Sequence, residues 1–490
     1  MENAIPNWLL QRAYLTPNRT ALVFGNQIWT FSEMVEEVRK IANRLHVQRG
    51  ERVAVLVKNN PTTVWLIHAL QQCGAEIVFL NNRLTSAELL FQLIDSKAKK
   101  LIFDDSMNVI ASDIAKNNKD IYILSLQRLA SRPVKCFEEK LEFHLNDICS
   151  IMYTSGTTGK PKGVLQTYGN HWWSAIGSSL NLGLREDDAW LCAVPLFHIS
   201  GMSILMRSVI YGMPVYLQEQ FNEYDANTLL KSGKVTIMSV VSAMLDRMLL
   251  ALGDEKYDER FRCMLLGGGA AQRHQLEWCK RKGIPVIQTY GMTETASQIV
   301  TLSPEDSLEK LGSAGKPLFP AQLQIVTENG KQAEHGEVGE IIVKGPNVTS
   351  GYLQREDANK EAFQNGWFRT GDLGYLDEEG FLYILDRRSD LIISGGENIY
   401  PAEIEEVLME IPEVMEAGVT GVNDAVWGKV PYAFVVLSNP LSEQNIIEFC
   451  RGKLASYKMP KRIYQIEALP RNGANKIVRR QLLQYIKEDQ

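Results

Sequence analysis

The chain has 490 residues, 45% hydrophobic and 22% charged, a length that calls for two or three domains and a composition that excludes a disordered or fibrous protein. A formal net charge of -6 gives no electrostatic reason to expect a nucleic-acid partner, which normally needs a strongly basic face. The seven cysteines form no CxxC pair and show no metal-ligand spacing, so they read as reduced core thiols of a cytoplasmic protein. The opening stretch MENAIPNWLLQRAYLTP lacks a basic region followed by an apolar run, and apolar runs elsewhere are short. Neither a signal peptide nor stable membrane insertion is expected.

Arg52 to Val57 (RVAVLV) reads as a buried strand because aliphatic and β-branched residues run almost continuously. Pro61 to Gln72 has helical spacing and opens at a proline, where a missing N–H costs nothing. Ala75 to Leu80 reads as a second strand, Thr85-Ser86-Ala87-Glu88 as a capping box opening the next helix, and Lys100 to Phe103 as a third strand. This order implies a parallel sheet with helices on its faces, and the pattern recurs where Arg262 to Leu266 runs into Gly267-Gly268-Gly269. After about residue 315, turn-rich segments such as GEVGEIIVKG and GYLDEEGFLYILD read as short antiparallel strands. Strands and amphipathic helices resume from Arg387: Ala402 to Met409, Tyr432 to Leu437 and Glu443 to Leu454. The charged cluster Asp386 to Asp390 (DRRSD) sets the expected boundary between a core domain, 1–386, and a C-terminal domain, 387–490, with a hinge near 387–390.

The densest chemical signal is YTSGTTGKPKGV, Tyr153 to Val164. Gly156 and Gly159 let backbone N–H groups approach an anion; Thr154, Ser155, Thr157 and Thr158 add hydroxyls, and Lys160 and Lys162 add charge. A Walker A loop spaces its glycines as GxxxxGK and then opens a helix, whereas here Pro161 follows the lysine. The bland alternative is a polar surface turn.

With that loop the chain resembles the adenylate-forming superfamily of acyl-CoA synthetases, peptide-synthetase adenylation domains and luciferases, over nearly its whole length and with motifs in the family's order. The resemblance implies a mixed α/β fold: a large domain of mainly parallel sheets with flanking helices and a β-barrel-like part, and a small mobile α+β domain. It implies ATP, Mg²⁺ and coenzyme A as co-substrates and cofactor, with a small carboxylic acid as the partner substrate. Thr289, Tyr290, Gly291 and Met292 match the second nucleotide motif, in which Thr293 contacts phosphate and Glu294 holds magnesium; a carboxylate oxygen suits that hard cation. Gly267, Gly268 and Gly269 match the adenine-side loop, and Asp372 with Arg387 the ribose-binding pair. Alone, a Thr-Glu pair reads as a helix cap, three glycines as a turn, and an exposed Asp and Arg as solvated surface.

His198 matches an aromatic or histidine position beside the acyl group, with a gating or positioning role favoured over general base, and the resemblance implies that Ser200 and Ser297 belong to the same acid site. Lys476, in LPRNGANKIVR, matches the catalytic lysine, although Asn472, Ala474 and Asn475 depart from the usual threonine, hydroxyl and glycine. Gly395 and Gly396 match the pair that lines the pantetheine tunnel, while Ser389 replaces the usual hinge Asp or Lys. Three further stretches, PNWLLQRAYLTPNRTAL, GNHWWSAIGSSLNLGL and SQIVTLSPEDSLEKLGSAGKPLF, resemble one branch of that superfamily. A dianionic substrate is supported by Arg207, which interrupts the apolar helical run Met202 to Ile210; a buried guanidinium needs an anion. Snorkelling, or an internal carboxylate partner, is the alternative. An acyl-CoA ligase for a different aromatic or fatty acid, a carrier-protein-loading enzyme and a non-catalytic AMP-binding regulator remain as other readings, and homo-oligomerisation is left open.

Overall fold

The computed structural model describes residues 3–154, 161–268, 271, 273–327, 329–386, 390, 392–470, 477 and 479–486. The first third folds as its alternating pattern demands. Arg52–Leu56, Glu76–Phe79, Lys100–Phe103 and Tyr122–Ser125 pair in parallel, and Ile148–Thr154 joins alongside Glu76–Phe79. Lys162–Thr167 closes that edge antiparallel, completing a six-stranded sheet. Val53, Ala54, Val55 and Leu56 are wholly buried because helices cover both faces. The helix Pro61–Gln72 carries Pro61 in its first turn, with the Asn60 side chain accepting from the Thr63 N–H. Ser86–Ser96 opens on the expected capping box of Thr85 and Glu88.

A second sheet of 14 strands holds the expected site. Its parallel half contains Trp190–Cys192, Val215–Leu217, Ile237–Val241, Cys263–Gly267 and Val286–Met292. From Ser297–Leu302 onward the pairing is antiparallel through Ser313–Pro317, Leu382–Asp386, Trp367–Leu376, Gly339–Lys344 and Gln322–Val326. Thr370 to Asp372 therefore lies inside a strand.

Residues after Ile392 build a third sheet, with Ile392–Ser394, Glu397–Ile399, Gly428–Leu437, Val414–Asp424 and Arg462–Gln465. With the helices Pro401–Met409 and Glu443–Arg451 it encloses its own core of Ile399, Ile404, Leu408, Val419, Val435 and Ile446. The second helix ends three residues before the expected Leu454, with Gly452 as its C-cap.

Six cysteines are buried, and burial pushes the thiols of Cys73, Cys149, Cys192, Cys263 and Cys279 up to about 12. Cys136 corrects the core-thiol reading: it is exposed, in a loop that buries little. Among the described residues, no helix is long and apolar enough to cross a membrane.

Gly315 lets two neighbouring strands of the antiparallel half, Ser297–Leu302 and Ser313–Pro317, pack closely. Its φ is +100°, and a Cβ there would lie 1.8 Å from the Thr301 carbonyl oxygen on the neighbouring strand. Gly315→Ala should destabilise the fold by about 3 kcal/mol or more, combining backbone strain with overpacking. A denaturant titration reads the loss, and an unchanged midpoint would reject this role for the glycine.

Candidate active site

The site is built around one chain reversal. The strand Val286–Met292 ends in the short 3-10 turn Thr293–Thr295, and the chain returns as Ser297–Leu302 beside the strand it left. The reversal puts two non-glycine residues at positive φ, Ala296 at 50° and Ser297 at 102°, the second a costly conformation for an L side chain. Gly291 is required opposite: a Cβ there would sit 2.1 Å from the Ser297 carbonyl oxygen.

Side chains from other segments hold this turn by its backbone. Gln166 Nε2 donates to the Thr293 carbonyl at 2.7 Å, Ser174 Oγ to that of Ala296 at 2.6 Å, and Asn347 Nδ2 to that of Thr295 at 3.1 Å. The Thr349 N–H donates to the Glu294 carbonyl at 2.7 Å. The Tyr352 hydroxyl donates to Glu294 Oε1 at 3.0 Å, fixing a buried carboxylate. Behind Gln166, Ser150 Oγ lies 2.7 Å from Gln166 Oε1 and 2.9 Å from His171 Nε2. Ser150 has one proton to give, so the network assigns a neutral His171 donating to Ser150, which donates to Gln166.

On the nucleotide side, Gly267 and Gly268 stand at the carboxyl end of their parallel strand, where ligands of open α/β sheets gather. A Cβ on Gly267 would meet Thr289 Oγ1 at 3.1 Å, and one on Gly268 would meet Val241 at 3.3 Å. The Tyr290 hydroxyl donates to Asp372 Oδ2 at 2.6 Å, joining two residues 82 positions apart. Thr154 ends its strand opposite Lys162, and Met292 pairs with Ser297. Ser155, Gly156, Thr157, Thr158, Gly159, Lys160, Gly269, Arg387, Ser389, Asn472, Ala474, Asn475 and Lys476 lie outside the described residues.

On the acid side, His198 is the N-cap residue of the helix Ile199–Tyr211 and packs 4.6 Å from the Phe197 ring. Ser200, in the first turn, is exposed. Arg207, further along, is 2% exposed. Its guanidinium lies 5.3 Å from the Trp190 ring centroid, and Nη2 donates to Ser297 Oγ at 3.4 Å, while Nε has no hydrogen-bond partner. Burial draws its pKa below the ordinary guanidinium value, and among the described residues no Asp or Glu forms an ion pair with it. Neither snorkelling nor an internal carboxylate accounts for it.

Gly395 and Gly396 form the two-residue turn between Ile392–Ser394 and Glu397–Ile399, with φ of 55° and 86°, as a tight hairpin requires. A Cβ on Gly395 would meet the Trp427 ring at 2.7 Å, and one on Gly396 would meet Val241 at 3.4 Å. Val241 thus stands between Gly268 of the large sheet and Gly396 of the small one. His198 Nε2 reaches a Glu397 carboxylate oxygen at 3.4 Å across the same gap. Val241, Gln166, Tyr352 and Glu397 escaped sequence reasoning; the available hints were a lone glutamine in an otherwise apolar strand and an aromatic beside Gly351.

The sequence pattern of the AMP-binding enzyme family matches residues 9–353, and that of the AMP-binding enzyme C-terminal domain matches residues 403–476. The chain belongs to the AMP-binding enzyme family. It is 57% identical to a 2-succinylbenzoate–CoA ligase of Geobacillus sp. (strain WCH70), over 99% of this chain and 98% of that relative. A double mutant of the o-succinylbenzoate CoA synthetase from Bacillus subtilis, bound with its product analogue OSB-NCoA, superposes with a TM-score of 0.94 at 49% identity, covering 99% of each chain. The Bacillus subtilis synthetase in complex with ATP and magnesium ion superposes with a TM-score of 0.77 at 48% identity, over 98% of this chain and 100% of that one.

His171 and His68 are wholly buried. Burial, joined at His171 by the Arg207 charge, lowers each from 6.5 to about 4. Above 6.5 both are neutral in the folded and unfolded chain; as pH falls toward 4 only the unfolded chain takes up the protons, so stability present above 6.5 is lost. Between pH 7.5 and pH 5 the loss should be about 2 kcal/mol per histidine, measured by denaturant unfolding. His171→Gln, which keeps polar contact with Ser150, should flatten that slope; an unaltered slope would show that His171 is not its source.

Proposed function

We propose that this chain is a cytoplasmic ATP-dependent acid–thiol ligase that converts 2-succinylbenzoate to its acyl-adenylate and then to the coenzyme A thioester, in menaquinone biosynthesis. Identity of 57% over nearly the whole of a 2-succinylbenzoate–CoA ligase supports the reaction. The diacid is carried by one observation, the buried guanidinium of Arg207 without a carboxylate partner among the described residues. A desolvated cation beside the acid site costs free energy unless an anion joins it, and the second carboxylate of the substrate is that anion.

The reacting carboxylate is inert toward a thiol because its negative charge repels the nucleophile and oxide leaves poorly. Attack of its oxygen on the α-phosphorus of ATP forms the acyl–phosphate bond and expels pyrophosphate. The thiol sulfur then attacks the acyl carbon, AMP departs, and the thiol proton is released. Charge grows on phosphoryl oxygens in the first step, so donors must already point at them. Thr293, on its pinned turn, and Lys476 take that role, with the loop Thr154 to Lys160 cradling phosphate. Asp372 and Arg387 hold the ribose, and Gly267 to Gly269 face the base. A single buried carboxylate suits a magnesium ion that takes its other ligands from phosphate and water, so Glu294 would hold it; when bound, the ion supplies positive charge to the phosphates.

Domain 387–490 turns on residues 387–390 between the steps, bringing Lys476 for the first and Gly395 with Gly396 for the second. The scores 0.94 and 0.77, against one synthetase at nearly equal identity, differ as they would if a part were displaced as a body. They support the reading that this chain is arranged for thiol transfer, and Gly396 beside Val241 agrees.

Arg207→Ala should cost about 2–5 kcal/mol in kcat/KM with 2-succinylbenzoate and little with a monoacid lacking the second carboxylate. Parallel losses on both acids would make Arg207 structural. Lys476→Ala should slow adenylate formation by roughly 100-fold to 1,000-fold and largely spare thioester formation from supplied acyl-adenylate. Equal loss in both half-reactions, followed by pyrophosphate and thioester release, would defeat the alternation of domains.

A further inference from the structure

One short stretch of the large domain, Asn81 to Glu88, bonds repeatedly to the small one. Asn81 Nδ2 donates to Glu397 Oε2 at 3.3 Å, and Arg83 forms an ion pair with the same carboxylate. Thr85 Oγ1 lies 3.5 Å from the Lys453 carbonyl oxygen. Glu88 Oε1 accepts from Lys458 Nζ at 2.8 Å, and Lys458 also donates to Glu403 Oε1 at 2.6 Å. Glu397 and Lys458 are each 4% exposed. The small domain thus brings the buried anion Glu397 and the buried cation Lys458 against a strip that presents a cation and an anion at matching places. Such alternation rejects other registers, because a shifted contact would oppose like charges or leave a buried charge alone.

The two oxygens of Glu88 do different jobs. Oε2 accepts from the Thr85 N–H at 2.8 Å and closes the capping box, a contact within the large domain. Oε1 faces the small domain. On separation Glu88 keeps its cap and Lys458 keeps Glu403, a neutral pair within its own domain. Arg83, with a side chain 46% exposed, returns to water. Neither Lys458 nor Glu88 is stranded, and Glu397, whose partners Asn81, Arg83 and His198 all belong to the large domain, exchanges them for water, so the contact can open and close.

We infer that Glu88 and Lys458, with Arg83 and Glu397, are positioning residues for the thiol-transfer half-reaction: a releasable charge latch that holds Gly396 against Val241. The inference rests on the proposed ligase reading. The latch acts on orientation and touches no reacting atom, so its loss does not slow adenylate formation.

The test separates the half-reactions: ATP–pyrophosphate exchange with 2-succinylbenzoate for the first, and single-turnover thioester formation from supplied acyl-adenylate and coenzyme A for the second. Glu88→Gln keeps a capping oxygen and the Lys458–Glu403 pair while removing the docking charge. It should slow thioester formation roughly ten-fold, the equivalent of one charge-assisted bond, while exchange is no slower than in the parent. Arg83→Gln should act in the same direction, and Lys458→Arg, which retains the charge, should recover most of the rate. Equal losses in both half-reactions, or undiminished thioester formation in Glu88→Gln and Arg83→Gln, would overturn the latch. Absence of pyrophosphate exchange in the unaltered protein would sink the ligase reading and the latch with it.

Discussion

Everything at the site depends on the reversal from Thr293 to Ser297. It turns the chain within a few residues, from a strand continuous with the parallel half of the large sheet to one that begins its antiparallel half. The price is positive φ at Ala296 and Ser297, a conformation that persists only when the surroundings over-determine it. Gln166, Ser174, Asn347 and Thr349 supply that constraint through backbone carbonyls, so Thr293 and Glu294 project from a turn that cannot relax. Gly291 is the complement, since nothing larger than hydrogen fits against the returning chain.

The acid side shows how burial sets charge. Arg207 keeps a guanidinium where almost no water reaches, and its field reaches His171, which burial already holds neutral. A neutral His171 can donate through Ser150 to Gln166, and Gln166 donates to Thr293. Arg207 and the Thr293–Thr295 turn are therefore coupled, by charge at His171 and by hydrogen bonds from there on. Polar side chains inside a domain this large are satisfied by such networks, or they cost stability.

Much of this was legible in the sequence because it is local. The buried run at Arg52 to Val57, the proline-led helix at Pro61 and the Thr85–Glu88 box each depend on neighbours a few positions away, and each formed where expected. The resemblance assigns both Tyr290 and Asp372 to the nucleotide site, but nothing local predicts that their side chains pair across 82 positions. What stayed hidden was the support. Gln166 and Tyr352 reach the Thr293–Thr295 turn only once the chain has folded, and Val241 is an ordinary aliphatic residue whose place between two glycines no spacing could announce. Glu88 was read as a helix cap, which accounts for one of its oxygens; its second role exists only once another part of the chain has folded against it.

In the proposed latch, that double use of Glu88 ties the two halves of the catalytic cycle by thermodynamic reciprocity. If coenzyme A binds better to the docked arrangement, docking strengthens coenzyme A binding by the same factor, whatever the intervening contacts. Each increment of docking strength that favours thiol transfer also weighs against the arrangement in which the next ATP is consumed. Turnover is then fastest at an intermediate docking strength, where neither step waits long for the other. A charge pair such as Glu88–Lys458, whose members keep a cap and a carboxylate when it opens, sits naturally near that balance, whereas an interface of purely apolar burial would be harder to leave.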